Sequence, residues 1–248
     1  HYADACDDLR DFAHRHNIPV AETQAGKSAL AWDDALNLGS IGVTGASSAN
    51  AVAEEADLII ALGTRLQDFT TGSWALFKGP NHRILSINVA AYDARKHDAI
   101  SVVGDAKVTL AELSNALGEH QARSVDPALK ESWIEAVDDV TALPTGNALP
   151  TDAQVIGAVQ RSTDDDAIVV CAAGGLPGEL HKLWKAAKPN GYHVEYGFSC
   201  MGYEIAGGLG VKMARPDREV VVIVGDGSYM MMNSELATSV MLGHKIIT

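Results

Sequence analysis

Short apolar runs that end at glycine dominate the second half of the chain. The clearest are residues 168–170 and 220–224, which are rich in β-branched side chains and precede glycine-containing turns. An apolar run of this length, bounded by a turn signal, is typical of a strand buried on both faces of a parallel sheet. The pattern then becomes helical over residues 229–242, and the side chains predicted to point inward are Met230, Met231, Leu236, Val240 and Met241.

Strand and helix patterns alternate in the first half as well. They predict helices over residues 3–16, 48–56 and 105–117, strands over 18–22, 58–62, 84–88 and 101–103, and a glycine-rich loop up to Gly45. A polar segment at 121–127, a bridging helix over 131–142 and a Pro/Gly segment at 143–150 separate the halves. Asp152 is the predicted N-cap of a helix that runs to Arg161.

This alternation predicts an α/β fold of two Rossmann-like parallel-sheet units. We expect a first domain at residues 1–125, a linker at 126–150 and a second domain at 151–248. The second unit is predicted to be truncated at its C-terminal end, because residues 245–247 have the character of a strand that has only begun.

Charge and composition narrow the possible partners. The chain has 248 residues, and its 19 basic against 32 acidic residues give a net charge of −13. That balance argues against nucleic acid or an anionic membrane as a partner. Neither a long apolar span nor a signal-peptide pattern is visible, and Cys6, Cys171 and Cys200 are too widely separated to suggest a zinc or disulfide motif. We therefore expect a cytoplasmic protein.

The segment Gly225-Asp226-Gly227-Ser228 follows the second buried strand. Ligands of open α/β sheets bind beyond the carboxyl ends of the strands, where glycines allow close approach and helix starts offer N–H groups to phosphate. Asp226 would repel a bare phosphate, but it can hold a hard divalent cation such as Mg²⁺ against a diphosphate. The alternative is an ordinary strand-to-helix turn.

This segment, with Glu235-Leu236 downstream, resembles the start of the diphosphate motif of thiamine-diphosphate-dependent enzymes. The resemblance implies that Asp226 binds Mg²⁺ and that Gly225, Gly227 and Ser228 contact the coenzyme diphosphate. In that family a second metal ligand, an asparagine, lies further downstream and would fall after Thr248.

Residues 195–210 (EYGFSCMGYEIAGGLG) resemble a second element of that family. By that resemblance Met201 holds the coenzyme bent and the Ser199 carbonyl accepts a hydrogen bond from its aminopyrimidine. The bend brings the amino group to the proton that must be removed. The alternative is a core methionine beside a glycine helix contact. Gly174 and Gly175, after the first buried strand, could present N–H groups to the diphosphate or simply form a tight turn.

The first half resembles the central domain of the same enzymes, chiefly through residues 18–23, 39–45 and 56–65. No Gly-x-Gly-x-x-Gly motif supports a nucleotide-binding role for this half. We therefore favour a structural domain that spaces two catalytic domains, with Arg65 and Asp68 as ordinary exposed or paired charges. The family's activating glutamate belongs to another domain, and the setting of Glu22 argues against that role. We therefore assign no catalytic residue, and we expect a homo-oligomer whose site is shared between subunits.

Residues 174–184 and 192–205 resemble the branch of the family that opens a cyclic 1,2-dione in inositol catabolism. This implies a polyol-derived diketone as substrate and hydrolysis of a ring C–C bond. His181, His193 and Tyr196 could bind substrate or transfer protons, although at least two of them are expected to be structural. The alternatives are an acetolactate-synthase-like or other 2-oxo-acid lyase, and a non-catalytic nucleotide-binding or structural module.

Overall fold

The computed structural model describes residues 1–79, 82–146, 149–172 and 174–248. These residues form two compact units, His1–Ile134 and Glu135–Thr248. Among them, no helix combines the length and the apolar character that crossing a membrane requires.

The first unit alternates helices with short strands. Its helices are Cys6–His16 (α1), Ser47–Glu55 (α2), Asp68–Thr71 (α3), Ala91–Ala94 (α4) and Ala106–Leu117 (α5), with a 3-10 turn at Lys96–Asp98. Its strands are Val20–Glu22 (β1), Asn37–Ser40 (β2), Leu58–Leu62 (β3), Arg83–Asn88 (β4) and Ile100–Val103 (β5). β1 pairs with β2, and β4 lies between β3 and β5; every pairing is parallel.

Strand β2 lies inside the segment predicted to be a glycine-rich loop, so that prediction was wrong. The segment lacks the β-branched side chains that mark a strand. It is held instead by polar groups: the Asn37 side-chain amide donates to the carbonyls of Leu30 and Ala31, and Ser48 Oγ donates to the carbonyl of Leu38. Buried polar side chains of this kind carry no signal in a hydrophobicity pattern.

Helix Pro127–Thr141 (α6) contains the point at which the chain passes from one unit to the next. The second unit has the helices Asp152–Arg161 (α7), Leu176–Leu183 (α8), Tyr203–Ala214 (α9), Asp226–Met232 (α10) and Ser234–Leu242 (α11). Its strands are Ile168–Cys171 (β6), Tyr192–Val194 (β7) and Val220–Val222 (β8). β6 lies between β7 and β8, all parallel, and Ile247 adds an isolated parallel bridge to Val221. The predicted α/β class with parallel sheets is confirmed.

Helix α9 covers one face of this sheet. Ile205 packs with Ile168, Val170, Val220 and Val222 to form a buried core cluster. The contact needs a glycine, because a Cβ at position 208 would lie 2.3 Å from Cγ2 of Val222.

Two local predictions in this unit were wrong. The N-cap of α7 is Thr151 and not Asp152, because Thr151 and Gln154 form a reciprocal capping box. The single helix predicted over 229–242 is two helices, α10 and α11, which meet at Asn233.

The inward face predicted for these helices was also mostly wrong. Leu236 packs against the core, but four of the five side chains are exposed: Met230, Met231, Val240 and Met241. Ser228 and Ser239 occupy the buried positions, where their hydroxyls are hydrogen-bonded to Glu204 and to the carbonyl of His244. An apolar pattern cannot assign a core-facing position to serine, and so it selected the wrong faces.

Candidate functional site

Three loops meet at one edge of the β7–β6–β8 sheet. Because β6 pairs in parallel with both neighbours, the carboxyl ends of all three strands lie at the same edge. The chain leaves β6 toward Gly174, leaves β7 at Glu195 and leaves β8 toward Gly225. All the residues predicted to bind the coenzyme or its metal ion follow one of these strands.

The segment Gly225-Asp226-Gly227-Ser228, called the Asp226 turn below, begins α10 at this edge. Asp226 is exposed, and its Oδ1 accepts the Gly227 N–H at 2.7 Å. Nothing lies within 4 Å of the position a Cβ would take at Gly225. The carboxylate therefore faces open space, which is the arrangement that a metal-binding role requires.

No group of three or more His, Cys, Asp and Glu side chains in the described part of the chain could hold a metal ion. Asp226 would thus contribute one oxygen ligand. Magnesium commonly binds through one or two carboxylates, with substrate phosphate and water completing its octahedron.

The turn formed by Met201 and Gly202, called the Met201 turn below, lies against the Asp226 turn. Met201 is 49% exposed, and its methyl group is 3.4 Å from the position a Cβ would take at Gly227. Gly202, which follows, has φ of +90°, and a Cβ there would lie 2.7 Å from Cγ of Met232. Glycine is therefore needed for both backbone conformation and space, and the structure brings two of the predicted site elements together.

The Ser228 side chain is buried, whereas Asp226 is exposed. Its hydroxyl is 2.9 and 2.8 Å from the two carboxylate oxygens of Glu204, and its Oγ accepts the Gly202 N–H at 2.7 Å. Since the side chain is occupied in this way, the main-chain N–H is the group of Ser228 that can serve a phosphate.

Glu195 organises the loop before Met201. Its Oε1 accepts the Phe198 N–H at 3.0 Å and its Oε2 accepts the Cys200 N–H at 2.8 Å. These bonds, with that from Cys200 the strongest cause, hold the pKa of Glu195 below its ordinary value. Between them Ser199 has φ of 52°, in the left-handed region that favours glycine.

The two glycines after β6 are open on their side-chain faces. Gly174 has φ of +86° and Gly175 is the N-cap of α8, and nothing lies within 4 Å of a Cβ position at either. Open backbone of this kind can approach a diphosphate. Ala173, which precedes them, lies outside the described residues.

The polar residues considered for substrate contact differ in their surroundings. His193 Nε2 lies 2.6 Å from the hydroxyl of Tyr203, and burial lowers the pKa of His193. His181 is almost completely buried within α8, whereas Tyr196 is half-buried in the loop after β7. Glu22 is buried in the first unit, where its Oε1 accepts the Leu30 N–H at 3.4 Å.

Two acids that accept hydrogen bonds from these turns were not predicted from the sequence. Glu195 lies in a loop of Gly, Ser and Cys, and Glu204 opens a helix of Ile, Ala and Gly. A lone carboxylate among small and apolar residues is a signal of a buried or hydrogen-bonded acid, which could have identified both.

Comparisons with known proteins identify the family of this chain. Residues 1–113 match the family model for the central domain of thiamine pyrophosphate enzymes, and residues 172–248 match that for their C-terminal TPP binding domain. The two ranges account for most of the chain, which belongs to the thiamine pyrophosphate enzyme family.

Three curated relatives of the chain carry the same name. The chain is 43% identical to the 3D-(3,5/4)-trihydroxycyclohexane-1,2-dione hydrolase of Clostridium tetani, over 99% of this chain and 42% of that protein. It is 44% identical to the proteins of the same name from Geobacillus thermodenitrificans and Bacillus cereus, with the same coverage. The chain thus spans 42% of the length of these curated relatives.

Proposed function

We propose that this chain is the central and coenzyme-binding part of a thiamine-diphosphate-dependent hydrolase that opens trihydroxycyclohexane-1,2-dione. The main observation that supports the proposal is that Met201 lies against the Gly225-Asp226-Gly227 turn at the carboxyl edge of a parallel sheet. Relatives that match over 99% of the chain carry that hydrolase name. We keep residues 1–125, 126–150 and 151–248 as the proposed central domain, linker and coenzyme-binding domain.

The residues at this edge fit the coenzyme. The exposed Asp226 carboxylate would bind Mg²⁺, and the open backbones of Gly174, Gly175, Gly225 and Gly227, with the Ser228 N–H, would face the diphosphate. The Ser199 carbonyl would accept a hydrogen bond from the aminopyrimidine. Met201, half-exposed and adaptable in shape, would support the bent coenzyme.

When bound, thiamine diphosphate supplies an electron sink for cleavage of a carbon–carbon bond. In the net reaction the bond between ring carbons breaks and water adds hydrogen to one carbon and hydroxyl to the other, which gives an open-chain acid. The chain's own residues hold and orient the coenzyme. The glutamate that activates the aminopyrimidine is proposed to come from outside this chain.

The setting of this activity is also part of the proposal. A small polyol-derived diketone is the substrate, and a second subunit of a homo-oligomer completes the site. The net charge of −13 disfavours nucleic acid and anionic membranes as partners. The cysteines Cys6, Cys171 and Cys200 are free, which suits the reducing cytoplasm.

Calorimetry on the complete protein tests the coenzyme site. Thiamine diphosphate is titrated with and without Mg²⁺ into the wild type, Asp226→Ala and Asp165→Ala. Asp165 is an exposed acid before β6, at the opposite end of that strand, so it serves as the matched control. Magnesium-dependent binding should vanish in Asp226→Ala and persist in Asp165→Ala. Binding that is absent from the wild type, or unchanged in Asp226→Ala, contradicts the proposal.

A product assay then separates the candidate reactions. The loaded protein should consume the cyclic dione and release an open-chain acid. Formation of acetolactate from pyruvate, without ring opening, would instead identify a condensing lyase. If neither product forms, a non-catalytic binding module is the remaining interpretation.

A further inference from the structure

We propose that Glu204 and Ser228 form a buried clamp that positions Met201 relative to Asp226. The clamp consists of the Glu204 carboxylate, the Ser228 hydroxyl and the Gly202 N–H. This inference rests on the proposed function, because it assigns both residues the task of fixing two coenzyme-facing turns. Neither residue is proposed to touch the reacting atoms, so both are positioning residues.

The three groups of the clamp contact each other directly. The Ser228 hydroxyl lies 2.9 Å from Oε1 and 2.8 Å from Oε2 of Glu204. The Gly202 N–H is 2.7 Å from Ser228 Oγ and 3.0 Å from Oε2 of Glu204. The carboxylate thus accepts from a hydroxyl on one turn and from a main-chain N–H on the other.

Burial makes these bonds costly to break. Glu204 is 0% exposed and Ser228 is 4% exposed. A buried donor or acceptor that loses its partner cannot turn to solvent, so the full cost of desolvating that group remains. The clamp therefore resists separation of the two turns more than an exposed bond would.

The positions of these residues in the chain give the clamp its effect on the site. Gly202 directly follows Met201, and Ser228 is two residues after Asp226. A bond between Gly202 and Ser228 fixes how far the Met201 side chain stands from the Asp226 turn. The contact of 3.4 Å between the Met201 methyl and the Cβ position of Gly227 joins the residues that directly precede Gly202 and Ser228 in the chain.

The local backbone gives a reason for such a clamp. Gly202 has φ of +90° as the N-cap of α9 and, as a glycine, offers no side chain of its own to cap that helix start. The preceding loop holds Ser199 at φ of 52°. A turn in these conformations needs tertiary bonds to stay in place, and Glu204 and Ser228 provide them.

The test measures magnesium-dependent binding of thiamine diphosphate to the complete protein by calorimetry. The variants are Ser228→Ala, Glu204→Gln and the double variant, and the control is Ser239→Ala. Ser239 is also a buried serine of this unit, but its hydroxyl bonds to the His244 carbonyl and not to either turn. Each single clamp variant should weaken binding about tenfold, which is the effect of leaving one buried hydrogen-bonding group without its partner.

Non-additivity distinguishes a clamp from general loss of stability. The affinity of the double variant should lie within about twofold of the affinity of the weaker-binding single variant, because the residues act as one unit. Ser239→Ala should lower the melting temperature but leave affinity within about twofold of the wild type. Amide hydrogen exchange at Gly202 should accelerate in the clamp variants, even without coenzyme, and not in Ser239→Ala.

The outcomes separate this inference from the proposed function. If the wild type binds no thiamine diphosphate, the proposed function falls and the clamp with it. If the wild type binds and Ser228→Ala binds equally well, the clamp alone is overturned. Additive losses in the double variant, or an equal loss in Ser239→Ala, also overturn it. Ser228→Ala is decisive should Glu204→Gln fail to fold.

Discussion

Met201 is the residue whose surroundings relate most directly to the proposed chemistry. It is half-exposed although it is apolar, and its methyl group lies 3.4 Å from the position that a Cβ would take at Gly227. A core methionine would be enclosed by other side chains, as the alternative interpretation of the sequence required. Its exposure at the edge of the sheet favours contact with a ligand.

Replacing Met201 by alanine should lower turnover more than coenzyme affinity, because Asp226 and the diphosphate contacts stay in place while the support for the bent form is removed. We expect kcat to fall by about tenfold to 100-fold and the Kd of thiamine diphosphate to rise less than about threefold. Steady-state kinetics and calorimetry on the complete protein measure the two quantities. Met213→Ala, an exposed methionine at the far end of α9, is the control and should change neither. Equal losses of kcat and affinity would contradict the bending role.

Glu195 should make the loop before Met201 sensitive to acid. Its hydrogen bonds from Cys200 and Phe198 lower its pKa in the folded state, so the stability that they give is present above the ordinary pKa of 4.5. That contribution is lost as the pH falls through the lowered value. Amide exchange of residues 196–200, corrected for intrinsic rates, should therefore accelerate over that range.

The variant Glu195→Gln provides the control for this effect. It should show the faster exchange at neutral pH and little further change on acidification of the same segment. An exchange rate equal to that of the wild type at neutral pH would show that the carboxylate does not hold the loop.

At the scale of elements, close approach of α9 to β8 sets the shape of the site. Gly208 allows this approach because a Cβ there would meet Val222 at 2.3 Å. Helix α9 also carries Glu204 and begins at Gly202, so its distance from the sheet determines where the Met201 turn lies.

Gly208→Ala should destabilise the second unit by about 1–3 kcal/mol, the usual cost of overpacking. Gly210→Ala, on the same helix but with nothing within 4 Å of its Cβ position, should be neutral or stabilise by up to about 1 kcal/mol. Denaturant unfolding measures both. Adding Val222→Ala should recover part of the stability lost in Gly208→Ala, since it removes the Cγ2 methyl group that the new Cβ would contact. Equal effects at the two glycines would refute the packing explanation.

At the scale of the whole molecule, each compact unit has its own buried core. In the first unit Leu38, Ile41, Ala49, Ala53 and Leu76 pack together, and in the second the cluster joins β6, β8 and α9. The first unit also buries Glu22 and Lys27, which act on each other electrostatically; burial raises the pKa of Glu22 and lowers that of Lys27. Substitutions in one core should therefore act mainly on that unit.

Lys27→Met should destabilise the first unit by about 3–5 kcal/mol, because it removes one of two opposite charges that are buried together. Amide exchange should accelerate within residues 1–134 and stay unchanged within 135–248. The matched control is Lys107→Met, at an exposed pair 3.5 Å from Asp8, which should cost at most about 1 kcal/mol. Acceleration in both units would show that they unfold as one cooperative body.

The sequence by itself determined most of the alternation of helices and strands and the approximate ends of β3, β6 and β8. Five-residue and shorter apolar runs located β3, β6 and β8, and the glycines after β6 and β8 located the edge that carries the proposed site. These features depend on local steric and hydrophobic properties, which a single segment contains. The family resemblance of the Asp226 and Met201 turns came from the same local segments, and the comparisons confirmed the family.

Tertiary structure alone decided which polar side chains are buried. Ser228, Ser239 and Glu204 face the interior because partners distant in the chain satisfy their hydrogen bonds, and this excludes the neighbouring methionines from the inward faces of α10 and α11. Strand β2 likewise depends on polar contacts made by Asn37 and Ser48. A buried polar group is stable only when its partner is in place, and the position of that partner is a property of the folded chain.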